Sequence, residues 1–113
     1  MDLYGCDKQK LGSEDAILKL LKKIPATLNL TPISEPKVFK YDHPKNPDRW
    51  GYTGNIAIAE SHIYIHTFAE LGTAMVDISS CEPFDTSIAE NLAKEKLGAQ
   101  KIVSKNIERL TEQ

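Results

Sequence analysis

Three segments in the middle of the chain alternate apolar and polar residues with a period of two. They run from Gly51 to Ala59, from His62 to Phe68 and from Thr73 to Cys81. This alternation is typical of strands that have one buried and one exposed face. Only short breaks separate the segments, at Glu60-Ser61 and at Ala69–Gly72. We therefore predict an antiparallel meander as the scaffold of the protein.

A helical spacing of apolar residues precedes these segments. Ser13 is suited to cap the first turn of such a helix, because its hydroxyl can accept a hydrogen bond from a free N–H. The residue before a proline disfavours the helical conformation, so Pro25 is expected to end the helix. We predict a helix from Ser13 to Ile24 on the spacing i, i+3, i+4 and i+7 of its apolar residues, which are Ile17, Leu20, Leu21 and Ile24.

A second helix is predicted from Thr86 to Leu97. Ser87 and Glu90 have the spacing of a capping box, and Gly98 fits the stop signal of a helix end. An apolar stripe follows one face of this segment, with Ile88, Ala89, Leu92 and Ala93 as its members.

The remaining segments complete the expected sheet. Thr31 to Tyr41 contains two prolines and indicates an edge strand towards its end, and Lys101 to Val103 indicates a final short strand. The charged, proline-containing stretch Asp42 to Arg49 is expected to be a surface loop. The predicted fold is α+β, with an antiparallel sheet and two helices packed on one of its faces as a two-layer sandwich.

Composition restricts the function classes. A chain of 113 residues forms one domain, and a net charge of −2 with a pI of about 5.9 gives no basic surface for nucleic acid or an anionic membrane. No apolar stretch approaches the roughly 20 residues that span a bilayer, and no leader-like segment opens the chain, so we expect a cytoplasmic protein. Two cysteines and three scattered histidines indicate neither a disulfide framework nor a metal site.

The second alternating segment carries an unusual density of reactive side chains, with Ser61, His62 and His66 directly after Glu60. Taken alone, such residues in a strand are more often structural than catalytic. Ser61 and His66 are five residues apart, so on a continuous strand they face opposite sides of the sheet. Their cooperation would require a turn or bulge, for which the break at Glu60-Ser61 is the natural place. Cys81 ends the third segment and is expected to reach the same edge of the sheet.

These residues resemble the motif of a known family. Glu60-Ser61-His62, His66-Thr67-Phe68 and Cys81, together with Glu70, Gly72 and Asp77, are similar to the core motif of the small prokaryotic S-adenosylmethionine decarboxylases. Those are pyruvoyl enzymes of polyamine synthesis. The resemblance extends upstream to Trp50-Gly51-Tyr52-Thr53-Gly54 and to Leu3-Tyr4-Gly5-Cys6-Asp7, so it covers most of the chain.

The resemblance implies a single-domain proenzyme, residues 1–113, that cleaves itself between Glu60 and Ser61. The products would be a β chain, residues 1–60, and an α chain, residues 61–113. Ser61 would become a pyruvoyl group, which forms a Schiff base with S-adenosylmethionine and serves as an electron sink when CO2 leaves. The product would be the aminopropyl donor for spermidine synthesis, and no metal would be required.

The resemblance also assigns roles to individual residues. His66 matches the base of the elimination, Cys81 matches the proton donor, and Thr53 stands where the family has a processing serine. Glu70 matches the residue that binds the ribose hydroxyls. Trp50 is a candidate for stacking on adenine, although a lone tryptophan is more often part of a core. The family further implies a homodimer of processed αβ units whose active sites lie near the interface.

Alternative functions remain open at this point. Pyruvoyl decarboxylation of a basic amino acid such as arginine or ornithine would use the same Ser61, His66 and Cys81. An uncleaved, catalytically silent paralogue acting as a binding or regulatory subunit is a second alternative, because Thr53 replaces the serine and few residues precede Tyr4. A serine hydrolase is disfavoured, since no G-x-S-x-G elbow surrounds Ser61.

Overall fold

Short strands and two longer helices follow one another in a computed structural model that describes residues 1–112. Within these residues no helix is both long enough and apolar enough to cross a membrane. The elements in chain order are β1 (Asp2–Tyr4), α1 (Lys8–Leu11), α2 (Glu14–Leu28), β2 (Lys37–Asp42), β3 (Trp50–Ile58), β4 (Ser61–Phe68), β5 (Thr73–Ser80), α3 (Thr86–Leu97) and β6 (Lys101–Val103).

The strands form one six-stranded antiparallel sheet in the order β2-β3-β4-β5-β1-β6. The predicted meander is confirmed as β3, β4 and β5. β4 is paired along its whole length with β5, and along Ser61 to His66 with β3. In this register Ser61 lies opposite Ser80, and His66 lies between Thr53 and Met75.

Both long helices cover the same face of the sheet, as the apolar pattern predicted. The two-layer α+β sandwich is therefore confirmed, and the other face of the sheet carries no helix in the described chain. The core consists of aliphatic side chains from both layers, among them Ile17, Leu20, Leu21, Ile24, Leu92 and Leu97 from the helices and Ile56, Ile58, Ile63, Ile65 and Val76 from the sheet.

The predicted end of the first long helix is wrong. α2 continues through Pro25 to Leu28, and Asn29 in the left-handed conformation (φ 58°) caps it. Proline lacks the N–H that would bond to the preceding turn, but Pro25 and Ile24 are buried in the core. Continued burial of this face of the helix offsets the lost hydrogen bond. The Pro25 carbonyl then accepts a hydrogen bond from the Leu30 N–H at 2.9 Å.

Other details of the local structure also differ from the sequence pattern. α3 begins at Thr86 as predicted, but Asp85 is its cap, because the Asp85 carboxylate accepts hydrogen bonds from the N–H groups of Ser87 and Ile88. The proposed capping box at Ser87 is therefore wrong, whereas Gly98 (φ 64°) ends the helix as expected. β1 and α1 were not predicted as elements, because three and four residues are too few to reveal a period.

Thr67 connects three elements near the middle of the fold. Its side chain is fully buried, and its hydroxyl donates to the Leu11 carbonyl oxygen at 2.9 Å. The same oxygen accepts a hydrogen bond from the Tyr52 N–H at 3.0 Å. A single hydroxyl thus joins the end of α1 to β3 and β4.

We expect Thr67→Val to lower the free energy of unfolding by about 1–3 kcal/mol, because it leaves the Leu11 carbonyl and the Tyr52 N–H buried without a partner. Urea unfolding of the intact chain measures this loss. Thr27→Val, on the exposed side of α2, is the matched control and should change stability by no more than about 0.5 kcal/mol. Equal effects of the two substitutions would contradict the role of the Thr67 hydroxyl.

Candidate functional site

The tight turn formed by Ala59 and Glu60 joins β3 to β4 and brings three of the predicted site residues together. Ser61 begins β4 opposite Ser80, the last residue of β5, and Cys81 follows directly. The Cys81 N–H donates a hydrogen bond of 2.9 Å to the carbonyl oxygen of Glu60. The Glu60 carbonyl, the Ser61 hydroxyl and the exposed Cys81 thiol therefore lie at the same end of the sheet.

The Ser61 hydroxyl contacts an imidazole from its own strand. Ser61 is half-buried and has a nearly extended backbone, with φ 159°. Its Oγ lies 3.1 Å from Nδ1 of His62, which is exposed. A neutral imidazole with a free Nδ1 can accept a proton from this hydroxyl. Sequence reasoning left His62 without a role, although its position next to Ser61 was the available signal.

The carboxylate of Glu60 is held from the other side of the turn. Its two oxygens accept hydrogen bonds from the Thr31 N–H at 2.9 Å and from the Thr31 hydroxyl at 3.0 Å. The Thr31 N–H is the main cause that holds the pKa of the Glu60 carboxyl below its usual value. Sequence reasoning missed Thr31, because 29 residues separate it from Glu60 and no local pattern links them.

A second group of predicted residues meets on the open face of the sheet. Thr53 and His66 are cross-strand neighbours on β3 and β4. Both line a depression of about 250 Å³ in the face that no helix covers, together with Tyr64, Ile65, Met75 and Asp77.

The imidazole of His66 is packed between aromatic rings. The Tyr41 ring stacks on it with centroids 4.5 Å apart, and the Phe68 ring approaches edge-on at 4.9 Å. The Tyr41 hydroxyl donates to the Thr67 carbonyl oxygen, which fixes the stacking ring. Burial lowers the pKa of His66, because desolvation penalises the charged imidazolium. The environment thus favours a neutral His66, which is the form that accepts a proton.

The two groups of residues do not meet within one chain. The turn before Ser61 is present, but β4 runs without a bulge from Ser61 to His66. Five strand residues span about 17 Å, and alternation places the two side chains on opposite faces. The turn or bulge that would bring Ser61 and His66 together in one chain is therefore absent from the described sheet.

Glu70 and Trp50 lie at the far end of β4 from Ser61. Glu70 is exposed in the turn before β5, and the neighbouring Ala69 N–H donates to the Trp50 carbonyl oxygen at 2.9 Å. The Trp50 indole packs against Gly12, where an added Cβ would lie 2.8 Å from the ring. Trp50 therefore contacts the helical layer and does not line the depression beside His66.

Comparison with known proteins gives concordant similarities in sequence and in fold. A family model described as S-adenosylmethionine decarboxylase matches residues 1–110. The S-adenosylmethionine decarboxylase proenzyme of Clostridium botulinum (strain Langeland) is 34% identical over 108 residues, which cover 95% of this chain and 87% of that protein. The proenzyme of the same name from Geobacillus kaustophilus is 36% identical over 99 residues, covering 88% and 74%. The crystal structure of the adenosylmethionine decarboxylase from Aquifex aeolicus VF5 superposes with a TM-score of 0.68 at 30% identity, covering 96% of this chain and 92% of that one.

We expect an NMR titration of His66 to give a midpoint below the ordinary pKa of 6.5. Because folding favours the neutral ring, the contribution of His66 to stability is fully present above pH 6.5 and is lost as the pH falls through the lower folded pKa. Tyr41→Ala should move the midpoint up towards 6.5 by exposing the ring, whereas Tyr41→Phe keeps the stacked ring and should not. A midpoint at or above 6.5 in the unsubstituted protein would contradict the desolvation of the His66 ring.

Proposed function

Because the chain belongs to the S-adenosylmethionine decarboxylase family, we propose that it is a proenzyme that cleaves itself between Glu60 and Ser61 and then decarboxylates S-adenosylmethionine. The observation that carries the cleavage step is the hydrogen bond from the Cys81 N–H to the Glu60 carbonyl oxygen. It holds the carbonyl group next to a serine hydroxyl that already contacts an imidazole. These are the parts that an attack of the hydroxyl on the preceding carbonyl requires.

In the first step the Ser61 Oγ attacks the carbonyl carbon of Glu60 while its proton passes to Nδ1 of His62. The carbonyl oxygen gains negative charge, and the Cys81 N–H, whose nitrogen lies 2.9 Å from this oxygen in the uncut chain, stabilises that charge. The C–N bond to Ser61 then breaks, and the freed amino group takes up a proton. The amide becomes an ester between the Glu60 carbonyl and the Ser61 hydroxyl.

In the second step a base removes the α-proton of Ser61, and the ester bond between the Ser61 Cβ and its oxygen breaks, so that the main-chain carboxylate of Glu60 leaves. This elimination releases residues 1–60, and addition of water with loss of ammonia converts residue 61 into a pyruvoyl group. A neutral imidazole suits the base, and the burial of His66 favours that form. However, His66 lies about 17 Å from Ser61 along its own strand, beyond the reach of a proton transfer.

We infer that the second copy in a homodimer supplies His66 and Thr53 to each Ser61. The uncovered face of the sheet supports such an association, because its aromatic and aliphatic side chains are 41–57% exposed. A twofold arrangement that packs two such faces together would bury them. Ser61 alternates away from this face, but it begins β4 at the end of the sheet, and its hydroxyl contacts His62, which lies on the open face in phase with His66. The end of one sheet could therefore meet the open face of the other and complete two equivalent sites. The exposed residues of this face are Tyr4, Phe39, Tyr64, Met75 and Val103.

Once formed, the pyruvoyl group supplies the electron sink that loss of CO2 from an amino acid requires. The exposed Cys81 thiol lies at the same end of the sheet as residue 61, which supports a role for it in returning a proton to carbon. Glu70 lies four residues after His66 in the chain, so the copy that supplies His66 also supplies Glu70. Its exposed carboxylate can accept two hydrogen bonds from ribose hydroxyls. Phe68, edge-on to His66, replaces the packed Trp50 as the aromatic ring available to a nucleobase.

Intact mass analysis of the denatured protein tests self-cleavage. We expect fragments corresponding to residues 1–60 and 61–113, the second with a ketone in place of an amino terminus. Ser61→Ala should remain a single 12.6 kDa chain, because it lacks the attacking hydroxyl. A wild-type protein that stays uncut after long incubation would refute the proposed activity.

Coexpression of two inactive variants tests the shared site. Ser61→Ala and His66→Ala should each remain uncut alone, whereas their mixed dimer pairs an intact Ser61 with the His66 of the other copy. About half of the chains in that mixed dimer, those carrying His66→Ala, should then be cleaved, because only they retain Ser61. If both residues acted within one chain, the mixture would remain as uncut as either variant alone.

A further inference from the structure

The segment after α2 passes beside the Glu60 turn and binds it through Thr31. In addition to the two hydrogen bonds to the Glu60 carboxylate, the Thr31 carbonyl oxygen accepts a hydrogen bond of 2.8 Å from the Ala59 N–H. Pro32 forms a bridge with Ile58, and the Ile33 N–H donates to the Ala57 carbonyl oxygen at 3.0 Å. Both residues of the turn are therefore tied to Thr31.

The opposite side of the same turn is held by Cys81, whose N–H binds the Glu60 carbonyl oxygen. Glu60 is thus fixed at two points, by its side chain to one neighbouring segment and by its carbonyl group to another. The tip of a hairpin is ordinarily among the more mobile parts of a fold. Here two flanking segments determine where the carbonyl group between Glu60 and Ser61 points.

We propose that Thr31 is a positioning residue for self-cleavage, which holds the Glu60 carboxylate so that the adjacent carbonyl group stays on the Cys81 N–H and within reach of the Ser61 hydroxyl. The inference rests on the proposed cleavage at this bond. The Thr31 hydroxyl binds the Glu60 side chain and neither the attacking oxygen nor the carbonyl group, so it acts through the Glu60 carboxylate.

We expect the hydrogen bonds between Thr31 and Glu60 to affect the rate of self-cleavage more than the stability of the fold. Thr31 is exposed, and polar contacts at a protein surface add little to stability. The attack of a hydroxyl on a carbonyl carbon, in contrast, is sensitive to displacements of about 1 Å, which can cost up to about 100-fold in rate. After cleavage Glu60 is the last residue of the β chain, and the same hydrogen bonds would keep that terminus beside residue 61.

The test follows the rate of self-cleavage after cell-free synthesis, with the uncut and cut chains quantified by intact mass. Thr31→Val keeps the backbone N–H but removes the hydroxyl, and we expect it to slow cleavage about tenfold. Thr31→Ser restores the hydroxyl and should recover the rate to within about threefold of wild type. Thr27→Val, on the exposed side of α2, is the matched control and should cleave at the wild-type rate.

A double-variant comparison shows whether Thr31 acts through Glu60. Glu60→Ala removes both hydrogen bonds and should slow cleavage at least as much as Thr31→Val does. Adding Thr31→Val to Glu60→Ala should then cause no further slowing, because the hydroxyl has no carboxylate left to hold. Thermal unfolding of Thr31→Val in the uncleavable Ser61→Ala background should match that of Ser61→Ala alone, which separates a slow reaction from a damaged fold.

The outcomes distinguish this proposal from the one on which it rests. An uncut wild-type chain overturns the proposed function and this inference with it. If the wild-type chain cleaves and Thr31→Val cleaves equally fast, only the role of Thr31 is overturned. The same holds if Thr31→Ser cleaves as slowly as Thr31→Val. If the Glu60→Ala/Thr31→Val double variant were slowed by the product of the two single-variant factors, the two residues would act independently. That result would likewise overturn the role of Thr31.

Discussion

The continuous antiparallel pairing of β4 with β3 and β5 determines the geometry of the candidate site. It places Ser61 beside the end of β5, where Cys81 follows, and it places His66 directly opposite Thr53. The same ladder keeps Ser61 and His66 five residues apart on a rigid strand, so no side-chain rotation within one chain can join them. The sheet therefore separates the candidate residues into two groups, one at its end and one on its uncovered face.

The two groups of candidate residues lie in different physical environments. At the end of the sheet, backbone and side-chain hydrogen bonds hold the Glu60 turn from both sides, and the reactive groups remain near solvent. On the open face, aromatic packing desolvates His66 and favours its neutral form. A polar, fixed carbonyl group and a desolvated imidazole are complementary requirements of a reaction that first attacks a carbonyl carbon and then removes a proton. One requirement is met at the end of the sheet and the other on its uncovered face. The proposed dimer would bring the two surfaces together, which is the chemical argument for it.

Much of the fold could be predicted from sequence because its signals are local. The alternation that identified β3, β4 and β5 is a property of neighbouring residues, as is the spacing of Ile17, Leu20, Leu21 and Ile24 on α2. The wrong end at Pro25 has a tertiary cause, because burial of Pro25 and Ile24 against the sheet offsets the missing hydrogen bond. The capping error at Ser87 is different in kind, since Asp85 and Ser87 are both good caps and only the path of the chain chooses between them.

The sequence by itself determined the two-layer architecture and the set of candidate residues around Glu60-Ser61, because periodicity and motif spacing are local properties of the chain. The tertiary structure decided which of these residues are neighbours. It joined Thr31 to Glu60 across 29 residues, placed Tyr41 on the His66 ring and turned Trp50 towards the helical layer. Strand order and register produce these contacts, and they depend on how distant segments pack together, which no local pattern of residues encodes.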